Sequence, residues 1–174
     1  MDQVEAMTLL QLNTLSRDEF VRLVGPVFEH SPWIAGAGWA ERPFENLEEL
    51  HAVLCAIVRQ AGEARQVELI QAHPDLVGRA ALAGVLTTES SREQASAGLD
   101  RLSAGEIAAF QACNDEYRNK FGFPFVICAR LNKKDAILAG FQSRLNHSRE
   151  QEIMTALLEI FKIARLRLQD IISA

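Results

Sequence analysis

The chain has 174 residues, 48% of them hydrophobic, with 18 basic against 23 acidic side chains and a formal net charge of -5. That is the composition of a globular chain long enough for one ordinary domain, and it excludes a disordered tail or a fibrous repeat. A mildly acidic balance offers no bulk attraction to phosphate backbones, so no nucleic-acid partner is expected. No apolar run approaches the roughly 20 residues of a transmembrane helix, so no membrane partner is expected either. The first residues, MDQVEAMTLL, lack a basic region and a small-residue cleavage site, and Ile172-Ser173-Ala174 is not a peroxisomal address. These readings predict a soluble, cytoplasmic protein. Cys55, Cys113 and Cys128 are odd in number, far apart and set among apolar neighbours, which predicts buried reduced thiols.

In chain order, Phe20, Leu23, Val24, Val27 and Phe28 form a helical stripe behind Ser16 and Glu19, a capping-box pair, with Pro26 placed to end it. Leu47, Leu50, Leu54, Ile57 and Val58 make a second stripe, with Asn46 as N-cap. A third helix is predicted from about Glu63 to Ala72, stopped by His73-Pro74. Ser90 with Glu93, and Ser103 with Glu106, announce two more helix starts, the second leading into Ile107, Phe110, Asn114 and Tyr117. Ile137, Leu138, Phe141 and Leu145 mark another helix, and Ile153 to Ile171 hold the helical period longest. Between them Phe121-Gly-Phe-Pro-Phe-Val-Ile-Cys-Ala129 reads as a buried strand with no partner strand in view. Its amides and carbonyls need partners, which a ligand could supply. The pattern predicts an all-α single domain over residues 1–174, a bundle of about seven or eight helices with an extended active-site segment near 121–130.

Candidate chemistry is sparse. No histidine pair has metal-site spacing, so no metal is expected. His51 reads as packed or solvated. His73, thrown off a helix end by Pro74, fits a general acid-base role as well as it fits a histidine at a helix C-terminus. Ser90 and Glu93 read as a capping box worth about 1 kcal/mol, and equally, with Gln94, as a polar helix N-terminus for a small anion. Arg144 is either an exposed ion-pair partner or a carboxylate clamp.

Three strings in this order are specific: Gln71-Ala-His-Pro-Asp-Leu76, Leu86 to Ala95 with Ala97-Gly-Leu99, and Phe121 to Arg130. Together with Phe28 to Ala35, Arg42-Pro-Phe44, Arg144-Leu145 and Ile163 to Leu168, they closely resemble the OHCU decarboxylase family over nearly the whole chain. The substrate of that family is 2-oxo-4-hydroxy-4-carboxy-5-ureidoimidazoline, and its reaction closes the uricase route from urate to allantoin. The resemblance implies an all-helical homodimer that uses no cofactor. It implies His73, Glu93 and Arg144 as catalytic residues. It also implies Pro74, Ser90, Ser91, Arg92 and Gln94 as substrate contacts, with the strip Phe125, Val126, Ile127, Cys128 and Ala129 bonding a small anionic ureidoimidazoline through its backbone. His147 departs from the asparagine of many relatives, with little consequence expected for the chemistry. Two other readings remain: a non-catalytic helical interaction module, and, more weakly, a hydrolase acting on a related ureido compound, for which no nucleophile–base pair is evident.

Overall fold

The computed structural model describes residues 6–173, so the readings on Met1 to Glu5 and on Ala174 lie outside the described residues. Side-chain caps from Thr8, Ser16, Asn46, Thr87 and Ser103 set where their helices begin. Thr8 caps α1 (Leu9–Thr14), and Ser16 caps α2 (Arg17–Val24) through a complete capping box with Glu19. Gly25–Val27 then tighten into a 3-10 turn at Pro26, which has no amide to continue the helix. α3 (Trp33–Gly38) follows, and Asn46 caps α4 (Leu47–Gln60). Next come α5 (Glu63–Gln71), α6 (Arg79–Leu82) and α7 (Thr88–Ser96). Ser103 and Glu106 box the start of α8 (Ala104–Phe121), and α9 (Lys134–Arg144) and α10 (Arg149–Ile171) complete the set. One two-residue parallel pairing, β1 (Met7–Thr8) with β2 (Ile172–Ser173), is the only sheet among the described residues.

The all-α class is as the periodicity predicts. The described helices number ten rather than seven or eight. α1, α3 and α6 are 6, 6 and 4 residues long, too short to display a stripe. α7 begins earlier than the sequence indicates: Thr87, in extended conformation, caps it by accepting from the amide of Ser90. Ser90 is therefore three residues inside the helix, and Ser90–Glu93 is not a capping box.

Residues up to Ala72 together with Phe161 onward form one compact unit, and His73–Ile160 form another. The first buries Leu12, Phe20, Val24, Leu50, Leu54 and Leu168. It also buries an ion pair: Arg167 Nη1 donates to Glu29 Oε2 at 2.9 Å and to the carbonyl of Pro26 at 3.1 Å. The second is built on aromatic rings. Phe125 stacks on Phe141 at 3.8 Å between centroids, and Tyr117 meets Phe125 edge-on at 5.3 Å. Every residue the sequence nominates for the site belongs to this second unit.

Glu29→Ala leaves the Arg167 charge buried without its carboxylate, so urea unfolding should show a loss of about 3–5 kcal/mol. A loss below about 1 kcal/mol would mean that water reaches the guanidinium.

Candidate active site

His73 lies just past the end of α5, and its ring is buried, 6% exposed. The loop it opens, His73 to Gly78, is held by side chains rather than by secondary structure. Arg118 Nε donates to both carboxylate oxygens of Asp75 at 2.9 and 3.0 Å. Asn114 Nδ2 donates to the carbonyl of Leu76 at 2.8 Å, and the amide of Val77 donates to Gln94 Oε1 at 3.1 Å. These three ties hold Val77 at φ +54°, a left-handed conformation that a β-branched residue rarely takes. Strain of that kind costs about 1–3 kcal/mol and persists where the surroundings over-determine it. Gly78 is required next: a Cβ there would lie 2.7 Å from Asp75 Cβ.

Because Ser90 is not the cap of α7, the polar cluster is not a helix N-terminus as such. It is one face of the helix. Ser90 and Gln94, four residues apart, are buried, Glu93 is half-buried, and Ser91 and Arg92 are exposed. The Gln94 carboxamide is fixed in orientation. With Oε1 taken by Val77, Nε2 is the donor it has left to offer. At its far end α7 packs on the 3-10 turn Ala129–Leu131, and Lys133 Nζ donates to the carbonyl of Ser96 at 3.0 Å.

The extended segment expected near 121–130 is shorter, Phe123 to Cys128, because Phe121 still belongs to α8, Gly122 caps that helix at φ +79° and Ala129–Leu131 form a 3-10 turn. It is buried except for the half-buried Ile127, and much of its backbone is bonded by side chains rather than by a second strand. Arg144 Nη1 donates to the carbonyl of Val126 at 2.7 Å, and the amide of Cys128 donates to Glu159 Oε2 at 2.9 Å. The Cys128 carbonyl accepts from Asn132 Nδ2 at 3.0 Å. Val126 and Cys128 are thus largely occupied within the chain. Ile127, between them, has no backbone bond within the chain among the described residues. Phe125 shares that lack but is 1% exposed, whereas Ile127 is half-buried, which leaves Ile127 the more open of the two to a ligand's polar groups.

Arg144 is buried rather than exposed. Its Nε pairs with Glu152 Oε1, its guanidinium lies 4.3 Å from the Phe125 ring centroid, and its Nη2 is enclosed without a hydrogen-bond partner among the described residues. Glu152, which no sequence motif singles out, is fully buried. Tyr117 Oη donates to its Oε1 at 2.7 Å, and His147 Nδ1 lies 2.8 Å from its Oε2. Burial first, and the bond to Glu152 second, push the Tyr117 phenol well above its ordinary pKa, so it stays a donor. An asparagine in place of His147 would offer the same carboxylate a donor from a shorter side chain.

His51 and Cys55 superficially form a nucleophile–base pair, with Sγ 3.4 Å from Nε2. The same nitrogen lies 2.7 Å from the carbonyl of Phe161, which can only accept, so Nε2 carries the proton and cannot take one from sulfur. Burial pushes the Cys55 thiol up to about 11. Cys55 and Cys128 are buried as expected, whereas Cys113 is only half-buried.

A buried arginine, a buried carboxamide with a fixed orientation and a buried histidine all belong to the second unit, and they are the residue types a site for a small anion needs. The comparisons give the family. The profile of the OHCU decarboxylase family matches residues 13–169, and the chain belongs to that family. It is 45% identical to the 2-oxo-4-hydroxy-4-carboxy-5-ureidoimidazoline decarboxylase of Amia calva, over 95% of each chain. It is 42% identical to the protein of that name from Halalkalicoccus jeotgali, over 95% of this chain and 92% of the relative. Among solved structures it is similar to an (S)-allantoin synthase, with TM-score 0.76 and 30% identity, over 95% of this chain and 54% of that one.

Burial raises the thiols of both Cys55 and Cys113, but Cys55 is buried while Cys113 is half-buried and open to a reagent. Iodoacetamide should therefore label the folded chain first at Cys113, as read by peptide mass spectrometry. Faster labelling at Cys55 would contradict its burial.

Proposed function

We propose that this chain decarboxylates 2-oxo-4-hydroxy-4-carboxy-5-ureidoimidazoline to (S)-allantoin in urate degradation, acting as one domain over residues 1–174. Family membership supports the reading, as does a match that runs through both compact units at nearly full length. The observation that carries it is the match, at 42 and 45% identity and over 95% of this chain, to decarboxylases of that name. Within the chain, Arg144 Nη2 is a buried donor without a hydrogen-bond partner among the described residues.

The substrate carries its carboxylate and hydroxyl on one carbon, beside an imine-type carbon that bears the ureido group. When the bond to the carboxylate breaks, CO2 leaves and the electron pair passes into the ring, so the substrate is its own electron sink. Arg144 orients the carboxylate. Glu93 beside it disfavours the bound negative charge, so ground-state binding rises less than transition-state binding. His73 takes the hydroxyl proton as that oxygen becomes a carbonyl. A proton added to one face of the ureido-bearing carbon completes a single enantiomer. Pro74, Ser90 and Gln94 line and bond the ring, with the Ile127 backbone as its partner in the strip. Ser91 and Arg92, being exposed, are the outer edge of the same contact set.

We place the enzyme in the cytoplasm as a homodimer. No described helix is long and apolar enough to cross a membrane. Met154 and Leu158, one turn apart on α10 and both exposed, are apolar surface for a second copy to cover.

The test is a coupled assay in which urate, uricase and hydroxyisourate hydrolase generate the substrate and circular dichroism follows the product. Adding this protein should give fast, optically active allantoin. His73→Asn should abolish that signal while leaving the far-ultraviolet spectrum and melting temperature unchanged. Slow racemic product with the unaltered chain would refute the activity, and a His73 variant retaining most of its kcat would remove that residue from the mechanism.

A further inference from the structure

We propose that Asp75 and Arg118 are positioning residues for the reaction: their ion pair holds the turn that seats the His73 ring. The inference rests on the decarboxylase reading above, which gives His73 its proton-transfer role. Asp75 is the corner of the turn. Its carboxylate accepts from Arg118 Nε at 2.9 and 3.0 Å, and its carbonyl accepts from the amide of Gly78 at 3.3 Å. Its Cβ leaves room for no side chain on Gly78. Arg118 comes from α8, which begins at a complete capping box and ends at Gly122 in left-handed conformation. Asn114, one turn earlier on that helix, holds the carbonyl of Leu76 at 2.8 Å. Pro74, Asp75, Asn114 and Arg118 line one open cavity of about 780 Å³, so the pair shares a hollow with a residue nominated for the site.

Only Pro74 separates His73 from Asp75, and its ring removes one free backbone angle from the link. A shift of the Asp75 corner therefore passes to the histidine, whose ring is 6% exposed. The drive to shift is present. Val77, two residues further on, sits at φ +54°, where a β-branched side chain is strained, and it relaxes if the turn opens. Asn114 and Gln94 hold the turn at Leu76 and Val77, beyond Asp75. Arg118 is the tie that stands between that strain and His73. The side chains of Arg118 and Asp75 are 43% and 24% exposed, so their pair adds little to folding and its effect falls on placement.

Asp75→Asn removes the charge, and Arg118→Met removes the donor while keeping the length of the stem. In the coupled assay each should lower kcat, per folded molecule, by about ten- to a hundredfold, the range a catalytic group displaced by about 1 Å produces. KM should stay within about twofold, because the proton that His73 takes moves only in the transition state. Melting temperatures should stay within about 4 °C of the unaltered chain. The double variant should lose no more than the worse single, since both remove one interaction. Histidine ring NMR gives a readout free of turnover: the His73 signal, assigned with His73→Asn, should shift in both variants while that of His51, in the first unit, stays. If either variant does not fold, Asp75→Glu or Arg118→Lys, a point donor in place of the planar fork, takes its place in the cycle. The proposal is overturned if either variant keeps kcat within about threefold, if KM rises in step with the loss, or if the melting temperature falls further than that. It is equally overturned if the losses multiply in the double variant or if the His73 signal does not move. No turnover by the unaltered chain would overturn the decarboxylase reading itself, and this proposal with it.

Discussion

A carboxylate with no exposure to water organises the second unit of this protein. Burying an isolated carboxylate is so unfavourable that it survives only when donors surround it. Glu152 receives Tyr117, Arg144 and His147, and each of these in turn fixes something else. Tyr117 anchors the aromatic cluster, and Arg144 anchors the strip through the carbonyl of Val126. The extended segment can dispense with a partner strand because side chains answer its backbone. Removing the carboxylate would loosen the arginine, the strip and the rings together.

A second region of the same unit is held in the same way. The His73–Gly78 loop takes a strained turn at Val77 because Gln94, Asn114 and Arg118 each hold part of it. Gln94 and Arg144 share one device: each uses its inward atoms on the backbone or on Glu152, and each keeps one N–H group to offer. Donors fixed in this way need no reorganisation when an anion arrives, which is how a buried polar site gains strength over the same groups in water.

Much of this was legible in the sequence, for identifiable reasons. Ser16, Asn46 and Ser103 announce helices because their caps are local and act within three residues. Pro26 and His73-Pro74 end helices for steric reasons that need no tertiary context. The strip from Phe123 to Cys128 was readable as buried and extended from its apolar run, but the identity of its partners was not. Arg144 and Glu159 reach it across 18 and 31 residues of chain. Ser90 misled because S-x-x-E is a cap signal, and Thr87 supplied a better cap three residues earlier. Glu152 was invisible because Arg-Glu-Gln-Glu opening a long helix reads as a solvated first turn. Only the fold turns its fourth residue inward.

The central claim is that Arg144 Nη2 and Gln94 Nε2 are the donors that meet the ligand. A crystal structure of this chain with (S)-allantoin tests it directly. The account predicts ligand oxygens within about 3 Å of both nitrogens, with Arg144 still bonded to Glu152 and Val126. A ligand seated elsewhere, or an Arg144 that leaves Glu152 to reach it, would contradict the account.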